Sequence, residues 1–214
     1  MGAQYSSRLE PGSSGFGSNW FGNGTPYLSQ YDASTIAVVF DLCKAYWYTQ
    51  DGDSYTPLYG ALATLEFDRS LCQFVFADCN GDVWYFTHTG EFDRVERANS
   101  PDQSTDTERM PSTSGDQLGR ITRTVTQNGV TTTDFNTYEY GEDGSVASIT
   151  FTRSVNPTAG IRRTVFHYYG ESEEHGSVGD LKTSTEQLLV GTTWVDHETS
   201  YFRYYLSGEA GGFA

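Results

Sequence analysis

Short motifs in which two aromatic residues flank one other residue, followed by a glycine turn, recur in the second half of this 214-residue chain. The clearest is Tyr138-Glu139-Tyr140, which leads through an acidic segment to Gly144. In a strand, side chains two positions apart point to the same face, so Tyr138 and Tyr140 would form part of an aromatic ladder. One hairpin cannot bury such a face alone, so neighbouring hairpins must complete the core.

Two later segments begin in the same way. Phe166-His167-Tyr168 leads through a long polar stretch to a glycine and a leucine, and Phe202-Arg203-Tyr204 leads to another Gly-containing acidic segment. Uneven spacing suits hairpins whose loops differ in length, and recurrence at this distance indicates an array. The repeat signature consists of Tyr138, Tyr140, Gly144, Phe166, Tyr168, Gly179, Leu181, Phe202 and Tyr204.

The composition favours strands joined by tight turns, because the chain has 23 Gly, 15 Tyr and 13 Phe beside many Thr and Ser. No segment keeps apolar residues at helical spacing for more than about two turns. Four dipeptides that favour hairpin turns separate segments of alternating apolar residues: Asp51-Gly52, Asn80-Gly81, Thr89-Gly90 and Asn128-Gly129. The sequence therefore predicts an all-β fold of antiparallel hairpins.

Changes in composition divide the chain into four predicted regions. Residues 1–30 are a Gly/Ser-rich irregular segment, and residues 31–98 form antiparallel hairpins. Residues 99–118 are polar with two prolines and predict a mobile loop. Residues 119–214 contain the degenerate repeats, and the last copy stops soon after its turn, as in a chain cut from something longer.

These motifs resemble the YD-repeat, or rearrangement-hotspot (Rhs), family, whose repeats read approximately Tyr-x-Tyr-Asp-x-x-Gly-Arg-Leu. Gly141 stands in place of the family Asp, and Ser145 stands in place of the Arg. Gly119-Arg120-Ile121 and Gly90-Glu91-Phe92 are similar to the glycine half of the motif. The resemblance extends from about Gly15 to the end of the chain.

The resemblance implies that the chain is an incomplete, N-terminal part of a large coiled β-sheet shell of a bacterial protein. Such a shell scaffolds or encases another part of the parent protein, for example a toxin or a surface-interaction region. The implied location is extracellular or at the cell surface, and the implied partner is the remainder of the parent chain, with carbohydrate or cell-surface molecules as further partners. The family's self-cleaving core needs an Asp-Pro motif that this sequence lacks, so we expect no cleavage, toxicity or other enzyme activity.

Charge and apolar content exclude two classes of partner. The formal net charge of −15 disfavours nucleic acids, because phosphate contacts need clustered Lys and Arg. No apolar run approaches the roughly 20 residues of a membrane helix, so we expect no membrane insertion. The three cysteines leave two alternatives open: a Cys72–Cys79 bridge in an oxidising compartment, or free buried thiols.

No motif predicts a cofactor or a catalytic metal. The four histidines are scattered and lack zinc spacing. Asp51-Gly52-Asp53 and the segment 78–82 could bind calcium weakly, but turn formation explains both more simply.

Two other functions remain open from sequence. One is a self-contained carbohydrate-binding β-sandwich, which would present Trp47, Trp84 or Trp194 to solvent in a shallow groove. The other is a β-rich glycoside hydrolase, for which no pair of carboxylates stands out.

Overall fold

The computed structural model describes residues 3–5, 20–22, 25–41, 43–98, 103–110, 117–154 and 161–204. Every regular element in these ranges is a β-strand, and the predicted all-β fold of antiparallel hairpins is confirmed. Within the same ranges, no helix is long and apolar enough to cross a membrane. The chain divides into two compact units, residues 1–134 and 135–214.

The first unit contains a four-stranded antiparallel sheet whose strands neighbour one another in chain order. These strands are β3 (Tyr27–Asp32), β4 (Thr35–Asp41), β5 (Lys44–Asp51) and β6 (Ser54–Pro57). Two short strands, β1 (Ala3–Tyr5) and β2 (Trp20–Gly22), pair with each other in antiparallel fashion. Residues 3–5, 20–22 and 27–30 lie in strands within the segment 1–30 that was predicted to be irregular, and most of the remainder of that segment lies outside the described residues.

A second run of antiparallel strands follows in the first unit, again in chain order. It consists of β7 (Thr64–Asp68), β8 (Gln73–Ala77), β9 (Val83–Thr87), β10 (Phe92–Glu96), β11 (Gln103–Met110) and β12 (Gln117–Gln127). Strand β13 (Val130–Tyr140) contains the boundary between the units. The second unit continues with β14 (Val146–Arg153), β15 (Arg162–Tyr168), β16 (Leu181–Val190) and β17 (Thr193–Tyr201).

The core of the first unit lies between its two groups of strands. The Phe40 ring of β4 lies 5.5 Å from the Phe76 ring of β8 and 5.1 Å from the Trp84 ring of β9. The buried Tyr48 donates its hydroxyl hydrogen to the Ala63 carbonyl at 3.0 Å, and burial raises the pKa of this tyrosine. The buried cluster comprises Leu28, Ile36, Val38, Tyr48, Ala63, Leu65, Phe76, Trp84, Phe86, Phe92 and Val95.

All four predicted hairpin turns lie between the expected strands. Gly52, Gly81, Gly90 and Gly129 each have positive φ, from 61° to 88°. This conformation is readily available to glycine because it has no Cβ. Asn128 precedes Gly129 with a φ of 52°, as expected for a two-residue turn with both central residues in the left-handed region.

The structure differs from the sequence prediction within residues 99–118, where a mobile loop was expected. Gln103–Met110 form β11, which pairs with β10 on one side and β12 on the other. Thr105 is buried, and the Thr107 hydroxyl contacts the Phe92 carbonyl at 2.9 Å. Pairing with β12 along residues 103–110 and with β10 at residues 104–106 satisfies much of the backbone of this polar segment, and its β-branched threonines suit a strand.

One turn of the first unit also supports the packing of the two strand groups. The Leu28 N–H of β3 donates to the Gly90 carbonyl at 2.7 Å. A Cβ at position 90 would lie 2.9 Å from both the Cβ and the carbonyl oxygen of Leu28. Gly90 therefore serves two purposes, a left-handed turn and a close approach between backbones.

Replacing Gly90→Ala should lower the free energy of unfolding by about 3 kcal/mol, because backbone strain and overpacking add. Gly52→Ala is the matched control, since Gly52 also has positive φ but has no atom within 4 Å of the added Cβ. That control should cost only about 1 kcal/mol. Urea unfolding of both variants measures the difference, and equal losses would show that the contact with Leu28 is unimportant.

Candidate functional site

One arrangement of backbone hydrogen bonds closes several hairpins. In the β9–β10 turn, the Thr87 N–H donates to the Glu91 carbonyl at 2.8 Å, and the Gly90 N–H donates to the Thr87 carbonyl at 2.9 Å. The residue before the turn is thus both donor and acceptor. The left-handed glycine three positions later directs its N–H back toward that residue.

The same pair of bonds recurs at the β8–β9 and β13–β14 turns. Residues 78–82 form both bonds at 3.0 Å. In the other turn, the Gly141 N–H donates to the Ser145 carbonyl at 2.9 Å, and the Gly144 N–H donates to the Gly141 carbonyl at 3.0 Å. We call this arrangement the closed glycine turn. It gives the predicted signature residue Gly144 a definite structural role.

A fourth closed glycine turn joins β15 to β16 and contains an insertion. The Tyr169 N–H donates to the Asp180 carbonyl at 2.8 Å, and the Gly179 N–H donates to the Tyr169 carbonyl at 2.9 Å. Residues 170–178 lie between the two bonded ends. Gly179 has a φ of 86°, so this signature glycine is equivalent to Gly144.

The insertion is held in place by Tyr169. This side chain is buried, and its hydroxyl donates to the Phe202 carbonyl at 2.7 Å. Desolvation is the main cause that raises the pKa of Tyr169 to about 12. A Cβ at Gly176 would lie 2.2 Å from a carbon of the Tyr169 ring, so the ring packs directly on the glycine backbone.

The predicted signature residues mark successive hairpins of the second unit. Tyr138, Phe166 and Leu181 are buried, whereas Tyr140 and Tyr168 are partly exposed. Burial is the main cause that raises the pKa of Tyr138.

The third copy of the signature follows β17. The Phe202 N–H donates to the Lys182 carbonyl at 2.9 Å, and the Tyr204 N–H donates to the His175 carbonyl at 2.8 Å. The Gly-rich turn predicted for this copy lies outside the described residues. Its two aromatic positions are therefore placed, but its turn is not.

Two features of this pattern were missed by sequence reasoning. Residues 78–82 were interpreted as an ordinary hairpin turn, although they form the same bonds as the signature copies. The available signal was Asp78, which is followed three positions later by Gly81. Tyr169 was also missed, because it follows the aromatic pair and lies far in sequence from its contacts.

Strand β17 ends the second unit's strand order and is exposed on both faces. Eight of its nine residues are exposed, and Trp194 is the partly buried one. Its strand neighbour in the described part of the chain is β16. Exposed apolar side chains occur on both strands of this hairpin, including Val190 at 63% and Val195 at 47%.

A polar row crosses this hairpin. The Arg163 guanidinium donates to the Gln187 side-chain oxygen at 2.7 Å, and the Gln187 amide donates to Asp196 at 2.7 Å. Arg163 also lies 4.3 Å from the centre of the Trp194 ring. The Asp196 carboxylate thus has a hydrogen-bond donor on the β16 side of the strand.

The three cysteines form no disulfide bond in the structure. All three cysteines are free and exposed, so the predicted buried thiols are wrong. Strand β8 (Gln73–Ala77) separates Cys72 from Cys79, and a five-residue strand spans about 17 Å, too far for a disulfide.

The two acidic segments considered for calcium use their carboxylates within the fold. Asp78 accepts hydrogen bonds from the backbones of Asn80 and Asp82, and Asp53 pairs with Arg69. No cluster of three or more potential metal ligands occurs among the described residues. These contacts agree with the interpretation of both segments as turns.

Comparisons with protein-family models, with curated proteins and with solved structures gave no match.

Replacing Gly176→Ala should displace the Tyr169 ring and release its bond to Phe202. Hydrogen exchange in residues 169–180 should then accelerate by about tenfold or more, as loss of one buried hydrogen bond costs on the order of 1–2 kcal/mol. Gly170→Ala is the control in the same loop, because its added Cβ would meet only ordinary contacts. Equal exchange in the two variants would contradict the role of Tyr169.

Proposed function

We propose that this chain is a non-catalytic structural segment of a YD-repeat-like β shell that scaffolds or encases another part of its parent protein. The closed glycine turn is the observation that carries the proposal. Among the described residues it occurs four times, and three of these copies follow the motif order aromatic, any residue, aromatic, turn, glycine, any residue, apolar. A motif that recurs with its backbone bonds is typical of an array in which each unit depends on its neighbours.

The exposure of the last strands supports the same function. Phe166 in β15 and Leu181 at the start of β16 are buried, whereas most of β17 is exposed on both faces. A sheet that becomes progressively less covered toward its last strand suits a segment on which further structure packs. The extracellular or cell-surface location belongs to this proposal and rests on the family resemblance.

The native polypeptide tests this proposal directly. Antibodies raised against the 214 residues should isolate from source cells a protein much larger than 23.8 kDa. Peptide mass spectrometry of that protein should identify further aromatic-x-aromatic and glycine-turn copies contiguous with this segment. A native 23.8 kDa polypeptide that is monomeric and carries no associated chain would contradict the proposal.

One observation favours carbohydrate binding as a second candidate. Tyr31 is 73% exposed, and its ring makes an edge contact with Trp47 at 5.6 Å. Exposed aromatic rings can stack on sugars. The other two tryptophans considered for sugar binding are less suitable, because Trp84 is buried in the core and Trp194 is covered by Arg163.

A glycan array tests this second candidate. If Trp47 forms a sugar platform, the chain should bind at least one glycan, and Trp47→Ala should reduce that binding by tenfold or more. Trp194→Ala, which removes a comparable ring from the second unit, should leave the binding unchanged. Absence of any bound glycan would remove this candidate.

For the third function considered, a glycoside hydrolase, no observation identifies a pair of catalytic carboxylates.

A further inference from the structure

We propose that the outer edge of β17 binds an extended β-strand that carries two consecutive basic residues. This inference rests on the proposed function, since it names the kind of segment that would continue the sheet. The edge to be paired is the side of Thr193–Tyr201 that does not face β16. Such an edge presents backbone N–H and C=O groups in strand geometry to an incoming strand.

The negative charges at this edge, Asp196 and Glu198, lie near the middle of β17. Glu198 of β17 lies directly opposite Glu186 of β16. Like charges at directly opposed positions destabilise a sheet. Among the described residues, neither glutamate forms an ion pair. A cationic side chain on the other side of Glu198 would relieve this repulsion.

The β-bulge in β17 fixes where the basic residues should stand. Consecutive residues Glu186 and Gln187 of β16 oppose Glu198 and Asp196 of β17, which leaves His197 as the extra residue. Because Glu186 and Gln187 are consecutive, their side chains lie on opposite faces of the sheet. A regular strand on the other side of β17 that keeps this register would also place two consecutive residues opposite Glu198 and Asp196, one on each face.

Charge also decides between possible occupants. A second copy of β17, paired antiparallel about His197, would place Asp196 against Glu198 twice and add repulsion. Residues 205–214 carry one Glu and no basic residue, so they offer no complementary charge. A strand with an Arg or Lys pair is the occupant that the edge favours.

Two capped octapeptides test the proposal with the full chain. Both alternate Thr and Val outside a central pair, which is Arg-Arg in one peptide and Glu-Glu in the other. Fluorescence anisotropy should show about tenfold tighter binding of the Arg-Arg peptide at low salt. The difference should shrink at 0.5 M salt, and the bound peptide should slow hydrogen exchange in residues 193–201.

Charge variants identify the edge as the binding site. Asp196→Lys/Glu198→Lys should reverse the preference in favour of the Glu-Glu peptide, and the milder Asp196→Asn/Glu198→Gln should abolish it. Glu142→Lys/Glu171→Lys is the control, because it makes the same change in net charge at two exposed turn residues. That control should retain a preference for the Arg-Arg peptide.

The possible failures are distinguishable. Equal binding of both peptides with protection of residues 193–201 would overturn the dibasic partner but leave the structural function intact. Protection of those residues in the chain alone would mean that the edge is already occupied and would also overturn the proposal. Binding of neither peptide to an unprotected edge would overturn it and would weaken the proposed shell as well.

Discussion

The reciprocal backbone bonds of the closed glycine turn are the interaction that sets the geometry of four hairpins in this fold, two in each unit. A hairpin connection must reverse the chain without leaving its polar groups unpaired. Here one residue before the turn satisfies both of its backbone groups, and one left-handed glycine makes the return possible. Each closed turn fixes the register of the two strands that it joins.

The two units use these hairpins in different ways. In the first unit, Phe76 and Phe86 are fully buried, because the four-stranded sheet covers the strands that carry them. In the second unit, burial is concentrated near the closed turns, at residues such as Val146 and Leu181. Side chains farther from the turns, such as Val190, are exposed. Hairpins with the same turn chemistry can therefore form either a two-layer core or an extended sheet.

Local chemistry explains which features the sequence could predict. The glycine turns at Gly52, Gly81, Gly90 and Gly129 were predictable because positive φ strongly favours glycine in these short connections. Strand β11 was not, since its polar residues gain their backbone partners from β10 and β12, which are distant in sequence. The packing of Tyr169 on Gly176 was hidden for the same reason. The exposure of β17 likewise could not be predicted, because it depends on the order of strands in the sheet, which a short sequence motif does not specify.

The insertion in the fourth turn shows what this architecture tolerates. Tyr169 and Asp180 keep the closing bond although residues 170–178 separate the bonded ends. The entropic cost of a longer loop grows only with the logarithm of its length, and the strands beyond the turn pair from Tyr168 and Leu181 onward, with one irregularity in register next to the turn. The closed glycine turn is thus a position at which this sheet accommodates inserted residues. New recognition sequences can be inserted there, in evolution or by engineering, without redesign of the sheet.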